Sequence, residues 1–144
     1  MPATMIPSMR YADAPAAIEW LQRAFGFEAQ LVVPDGAGGI AHAQLLMRDP
    51  VRGDAMVMLG SNKPGTAFND LTIQPRECGM RSTQCPYIVI DATDAHCERA
   101  AAVGAEMVMP IADQDYGGRV YSCRDPEGHL WCFGSYDPWA EASS

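Results

Sequence analysis

Residues 124–135 read Arg-Asp-Pro-Glu-Gly-His-Leu-Trp-Cys-Phe-Gly-Ser, and residues 48–61 begin and end alike, with Arg48-Asp49-Pro50 and Leu59-Gly60-Ser61. The Arg-Asp-Pro triplets lie 76 residues apart and the Gly-Ser pairs 74. Working outward, Gly38-Gly39 recurs as Gly117-Gly118 at an offset of 79, Pro34 as Pro110 at 76, Gly26-Phe27-Glu28 as Gly104-Ala105-Glu106 at 78, and Asp13 as Asp94 at 81. Landmarks that keep their order at one slowly drifting offset describe a chain built from two copies of a single unit.

Each copy parses in the same way. Ser8 to Tyr11 and Tyr87 to Asp91 read as short strands, the second with Ile88 and Ile90 on one face. Asp13 and Asp94 follow as helix N-caps, because a carboxylate there can accept from the free amides of the first turn. Ala14, Ala17, Ile18, Leu21 and Phe25 form an apolar stripe at helical spacing, Pro15 fits the first turn, and Gly26 ends the helix. The second helix is predicted over 95–103, ending at Gly104. Three extended segments come next in each copy: 29–33, 40–47 and 55–59, then 106–109, 119–123 and 130–133. The reading is an α+β protein of two tandem βαβββ modules, 5–61 and 85–139, joined by a linker at 62–84 into one domain over 1–144.

Composition narrows the function classes. The chain is 48% hydrophobic over 144 residues, enough for a sizeable core, and its 10 basic against 18 acidic residues give a net charge of −8. Nucleic acid and anionic membranes are poor partners for such a surface. No run approaches the roughly 20 apolar residues of a membrane helix, so a soluble, cytoplasmic protein is expected. The five cysteines are an odd set without a C-x-x-C pair and read as free thiols. No Ser-His-Asp pattern, phosphate-cradling loop or dinucleotide fingerprint appears.

The tandem βαβββ pattern is carried by Asp13 to Glu28 (DAPAAIEWLQRAFGFE), Ala41-His42-Ala43, and Tyr116 to Trp139 (YGGRVYSCRDPEGHLWCFGSYDPW). On these segments the chain resembles the vicinal oxygen chelate superfamily, the group of glyoxalases, bleomycin resistance proteins and extradiol dioxygenases. The resemblance implies a U-shaped eight-stranded sheet with helices on its convex face, usually in a homodimer. In the metal-dependent members a His on each module's first strand and a Glu on its last strand hold a divalent ion. Counted back from Asp13 and Asp94, the His positions fall on Ile6 and Tyr87, and the last-strand positions fall on Met58 and Cys132. Such side chains do not chelate a hard or borderline cation, so neither metal nor cofactor is expected.

Strand alternation then suggests what lines the cleft. Met56, Met58, Leu130 and Cys132 share one face, with Ser8, Arg10, Tyr87, Val89 and Asp91 on the first strands and His42 and Gln44 on the third. By the repeat, Arg119, Tyr121 and Cys123 are placed opposite them. Tyr87, Tyr121 and the methionines provide apolar walls, while Arg10, His42, Gln44, Asp91 and Arg119 fix orientation. His42 is the candidate acid–base group. His129 is expected to face away from the cleft and His96 to be solvated, and the segment 136–139 either covers a cleft mouth or docks on its own domain. The expected function is metal-independent binding of a small organic molecule, cationic or aromatic, such as an antibiotic or an aromatic metabolite. The alternative is a lyase, isomerase or dioxygenase-like enzyme with non-standard site residues. Whether the modules pair within one chain or swap between chains is open at this level.

Overall fold

Helix α1 (Ala14–Phe25) begins where Asp13 accepts from the Ala16 amide at 3.2 Å, and ends where Gly26 turns left-handed at φ 85°. In the computed structural model, which describes residues 1–140, it follows β1 (Ser8–Tyr11) and precedes β2 (Glu28–Pro34), β3 (Ile40–Met47) and β4 (Ala55–Ser61). Residues 141–144, the end of the expected single domain, lie outside the described residues. The second module repeats the order with β5 (Tyr87–Val89), α3 (Thr93–Ala102), β6 (Glu106–Asp113), β7 (Arg119–Arg124) and β8 (Leu130–Gly134). Between them the connection carries a one-turn helix α2 (Ala67–Asp70) and a 3-10 turn at Pro75–Glu77.

The modules form two four-stranded sheets of identical order, β1-β4-β3-β2 and β5-β8-β7-β6, as expected from two βαβββ units. In each, the first strand runs parallel to the last and the rest are antiparallel. The start of α3 differs from the sequence reading. Its N-cap is Ala92, which supplies no side-chain bond, and Asp94 lies inside the first turn. There the Asp94 carboxylate is held by the Arg119 guanidinium at 2.9 and 3.0 Å and is not free to cap.

One core serves both sheets. Leu45, Val57 and Leu59 from the first and Tyr121, Trp131 and Phe133 from the second are buried together around α1. Phe25 at the end of α1 lies 5.2 Å from the Trp131 ring and 4.6 Å from that of Phe133. The helices also touch each other: Arg99 of α3 donates to the Gln22 and Arg23 carbonyls at the end of α1, and the Trp20 indole donates to Val103 O. The β7–β8 turn closes the other end. Asp125 accepts from Tyr11 Oη and Trp131 Nε1, Glu127 receives the Ala12 and Asp13 amides, and His129 Nε2 donates to Arg10 O. Among the described residues no helix is long and apolar enough to cross a membrane.

His96 is not solvated, as the sequence reading had it, but half-buried between the helices. Its Nε2 donates to Phe25 O at 2.9 Å, which leaves Nδ1 to accept from the Tyr121 hydroxyl at 2.6 Å. Burial holds this imidazole below its ordinary pKa of 6.5. The unfolded chain therefore takes up the proton first, so stability falls as pH drops from about 6.5 through the lower folded value. Urea midpoints measured between pH 7.5 and pH 5 are expected to fall more steeply for the native chain than for His96→Gln. Equal slopes would show that the buried imidazole does not couple folding to protonation.

Candidate functional site

The shared core fixes which strand faces are left outward. Register pairs Ser8 with Met58, Gln44 with Met58 and Tyr87 with Cys132, while the residues between them, such as Leu59 and Phe133, pack inward. The first sheet therefore presents Ser8, Arg10, His42, Gln44, Met56 and Met58, and the second presents Tyr87, Val89, Ser122, Leu130 and Cys132. Because both helix-bearing faces close on one core, these two outward faces point away from each other within a single chain.

The repeated Gly-Ser pair explains itself in this frame. A Cβ on Gly60 would collide with the Arg10 guanidinium, and one on Gly134 would stand 2.7 Å from the Tyr87 hydroxyl and 2.6 Å from Val120 Cγ2. Each glycine thus opens a notch over which a large side chain of the neighbouring first strand lies flat. The following serines do identical work, Ser61 Oγ accepting from the Ile40 amide and Ser135 Oγ from the Arg119 amide, both at 2.9 Å. Arg10 also lies over the Phe68 ring of α2, 5.0 Å from its centroid. His42 joins a polar chain: Gln44 Nε2 donates to Gln30 Oε1 at 2.8 Å, so Gln44 Oε1 receives His42 Nε2–H at 2.8 Å and His42 Nδ1 remains an acceptor.

Several expected cleft residues lie elsewhere. Tyr121 and Cys123 are fully buried on the helix side, and Arg119 is there too, held by Asp94 and by Asp113 at 3.0 Å. The cause is one extra residue in β3: Val33 pairs with His42 and Pro34 with Ile40, which leaves Ala41 unmatched. The Gly-Gly offset of 79 holds at the hairpin but becomes 78 beyond Ala41, since Gln44 pairs with Met58 as Ser122 does with Cys132. A slip of one residue turns a side chain to the opposite face. Asp91 lies beyond the end of β5 and forms a 2.6 Å ion pair with Arg52 of the first module.

Two cavities border these surfaces. A groove of about 530 Å³ runs between the β3–β4 turn (48–54) and β5, with Trp139 at its side. It is braced by Arg52, which reaches Asp49, Asp91 and Asp137 at 2.8, 2.6 and 3.1 Å. A second, open pocket of about 310 Å³ is lined by Tyr87, Tyr116, Tyr136 and Pro138. The sequence reading missed this pocket, although Tyr116 and Tyr136 directly flank the repeated Gly-Gly and Gly-Ser signals that bring their turns together.

The description "Glyoxalase/Bleomycin resistance protein/Dioxygenase superfamily" matches residues 5–133. The chain belongs to this superfamily. An uncharacterized protein of Mycobacterium bovis is 30% identical over 128 residues, covering 89% of this chain and 80% of its own length. The crystal structure of TioX from Micromonospora sp. ML1 superimposes with a TM-score of 0.63 at 32% identity, covering 92% of this chain and 94% of the other. Fosfomycin resistance protein FosX from Mesorhizobium loti shares the fold, with a TM-score of 0.64 at 14% identity over 96% of this chain and 95% of its own.

Metal-dependent members of the superfamily place their ligands on the first and last strands of each module. Since Ser8 pairs with Met58 as Tyr87 pairs with Cys132, the counterpart of Tyr87 is Ser8, not Ile6 as counting from Asp94 implied. The set is then a hydroxyl, a thioether, a thiol and a phenol that burial pushes up to about 12. These donors do not fit a divalent cation that wants imidazole and carboxylate. Among the described residues no group of three or more His, Cys, Asp and Glu side chains could hold a metal ion.

Proposed function

We propose that this superfamily member binds a small organic molecule without a metal ion, in a cleft that two copies of the chain complete. The observation that carries the reading is the outward orientation of both strand faces. Each carries methionine, tyrosine or cysteine surface beside a few polar groups, and each lacks an opposing wall in one chain. Setting the first sheet of one copy against the second sheet of another would enclose Arg10, His42, Gln44, Met56 and Met58 with Tyr87 and Cys132. Such a cleft suits sequestration of an antibiotic or an aromatic metabolite in the cytoplasm, and the acidic surface argues against nucleic acid and anionic membranes as partners. A single observation supports the alternative of a metal-free lyase or isomerase: the free Nδ1 acceptor of His42, which is placed to take a proton from a bound molecule.

Trp139 is 93% exposed whereas Trp20 and Trp131 are buried, so it is the natural reporter. Light scattering is expected to give a dimer, and one or more members of a panel of cationic and aromatic compounds to quench Trp139 with saturation. Met58→Lys places a charge on the cleft floor and is expected to weaken binding at least about tenfold, the size of one unfavourable buried group. Mass spectrometry of the recovered compound separates the two readings. An unchanged molecule supports sequestration, whereas a product that vanishes with His42→Ala supports the enzyme. A monomer, or an absence of saturable quenching across the panel, would overturn the proposal.

A further inference from the structure

We infer that the pocket walled by Tyr87, Tyr116 and Tyr136 is a subsite for an alkylated ammonium group, held by the faces of the phenol rings. The inference rests on the reading that the outward face of the second sheet takes a small organic molecule, and it names the chemistry of one part of that molecule.

The pocket is built by the fold. Gly134 carries no Cβ, so Tyr87 can lie across it and donate to Tyr136 O at 2.6 Å, which ties β5 to the segment after β8. The Tyr116 and Tyr136 rings meet edge to face at 4.7 Å and 72°. Tyr116 is 60% exposed and Tyr136 36%, and among the described residues neither hydroxyl makes a hydrogen bond. Packed on each other, both rings border an opening of about 310 Å³. A trimethylammonium group is much smaller than this opening, which leaves room for the rest of a molecule.

Charge selects the occupant. Phenol rings carry negative potential on their faces and attract cations within about 6 Å. Burial, with a smaller contribution from Asp137, disfavours ionisation of the Tyr87 hydroxyl, and Asp115 precedes Tyr116 in the hairpin turn. The neighbouring guanidinium is spent: Arg52 is shared by Asp49, Asp91 and Asp137. Three carboxylates against one arginine, with Asp115 beside Tyr116, leave the neighbourhood negative, in a chain of net charge −8. A carboxylate or phosphate would be repelled here. A neutral apolar group would gain contact but no electrostatic attraction.

The test compares choline with 3,3-dimethylbutan-1-ol, which has the same shape with carbon in place of the charged nitrogen. Both give a strong methyl singlet whose broadening can be titrated with the intact protein by proton NMR. Choline is expected to bind about tenfold more tightly than the alcohol. Tyr116→Leu, which keeps apolar bulk at an exposed site, is expected to remove most of that difference, and Tyr136→Phe to preserve it. Equal binding of the two probes would overturn the ammonium subsite while leaving small-molecule binding intact. Failure of both probes would overturn it too, and the broader reading would still stand if a panel compound quenches Trp139. A Tyr116→Leu protein that still prefers choline tenfold would show that the rings are not what holds the cation.

Discussion

Replacing Asp125 by alanine is expected to destabilise the folded chain by about 3–5 kcal/mol, a large share of the ~5–15 kcal/mol available to a domain of this size. The carboxylate is buried and accepts from Tyr11 Oη at 2.7 Å, Trp131 Nε1 at 3.0 Å, and the Glu127 and His129 amides at 3.0 Å each. Removing it leaves donors on three different elements unsatisfied, each costing about 1–3 kcal/mol where water cannot replace the lost partner. It also loosens the turn whose Glu127 side chain receives the Ala12 and Asp13 amides ahead of α1. The repeat supplies an internal control. Asp49 occupies the same place in the first module, but its side chain bonds the Val51 and Arg52 amides and the Arg52 guanidinium at the surface. Asp49→Ala is expected to shift the urea midpoint far less than Asp125→Ala, because solvent screens and replaces its bonds. Urea denaturation of both variants decides it, and comparable losses would mean that Asp125 does not join the modules.

Phe25→Ala is expected to cost a similar ~3–5 kcal/mol by a different route, the loss of buried aromatic surface plus a cavity that a rigid core cannot fill. Phe25 has no exposed surface to speak of and sits among Trp20, Phe27, His96, Trp131 and Phe133, at ring distances from 4.6 to 6.5 Å. Trp131 and Phe133 belong to the other module, so the cavity would open between the two sheets. Phe68→Ala, on a ring that is half exposed and lies under the Arg10 guanidinium, is expected to cost less than about 1 kcal/mol. A Phe25→Ala protein with an unchanged urea midpoint would refute a single core shared by both modules.

Helix α1 shows how much can be read from local chemistry. Its cap, its apolar stripe and its terminal glycine act within a few residues of themselves, so the sequence alone locates them. Helix α3 shows the limit. Asp94 has the chemistry of a cap, yet a guanidinium on β7 takes its carboxylate, and that pairing is made between residues 25 apart in the chain. The outward strand faces divide in the same way. Arg10, Met56, Met58, Tyr87 and Cys132 face outward as alternation along a strand places them, and His42 and Gln44 do so beyond the bulge at Ala41, whereas Arg119, Tyr121 and Cys123, carried across the repeat, lie on the helix side.

By itself, then, the sequence determined the two βαβββ units, because periodicity, caps and turn residues are local properties repeated twice. Only the tertiary structure decided which faces are free. The bulge at Ala41, where β3 carries one residue that β2 does not match, sets side-chain parity, and His96 is half-buried because a second helix packs over it. The tyrosine pocket exists because Gly134 lets β5 lie against the turn that follows β8. Each of these depends on a contact between segments distant in the chain, which no window of local sequence contains.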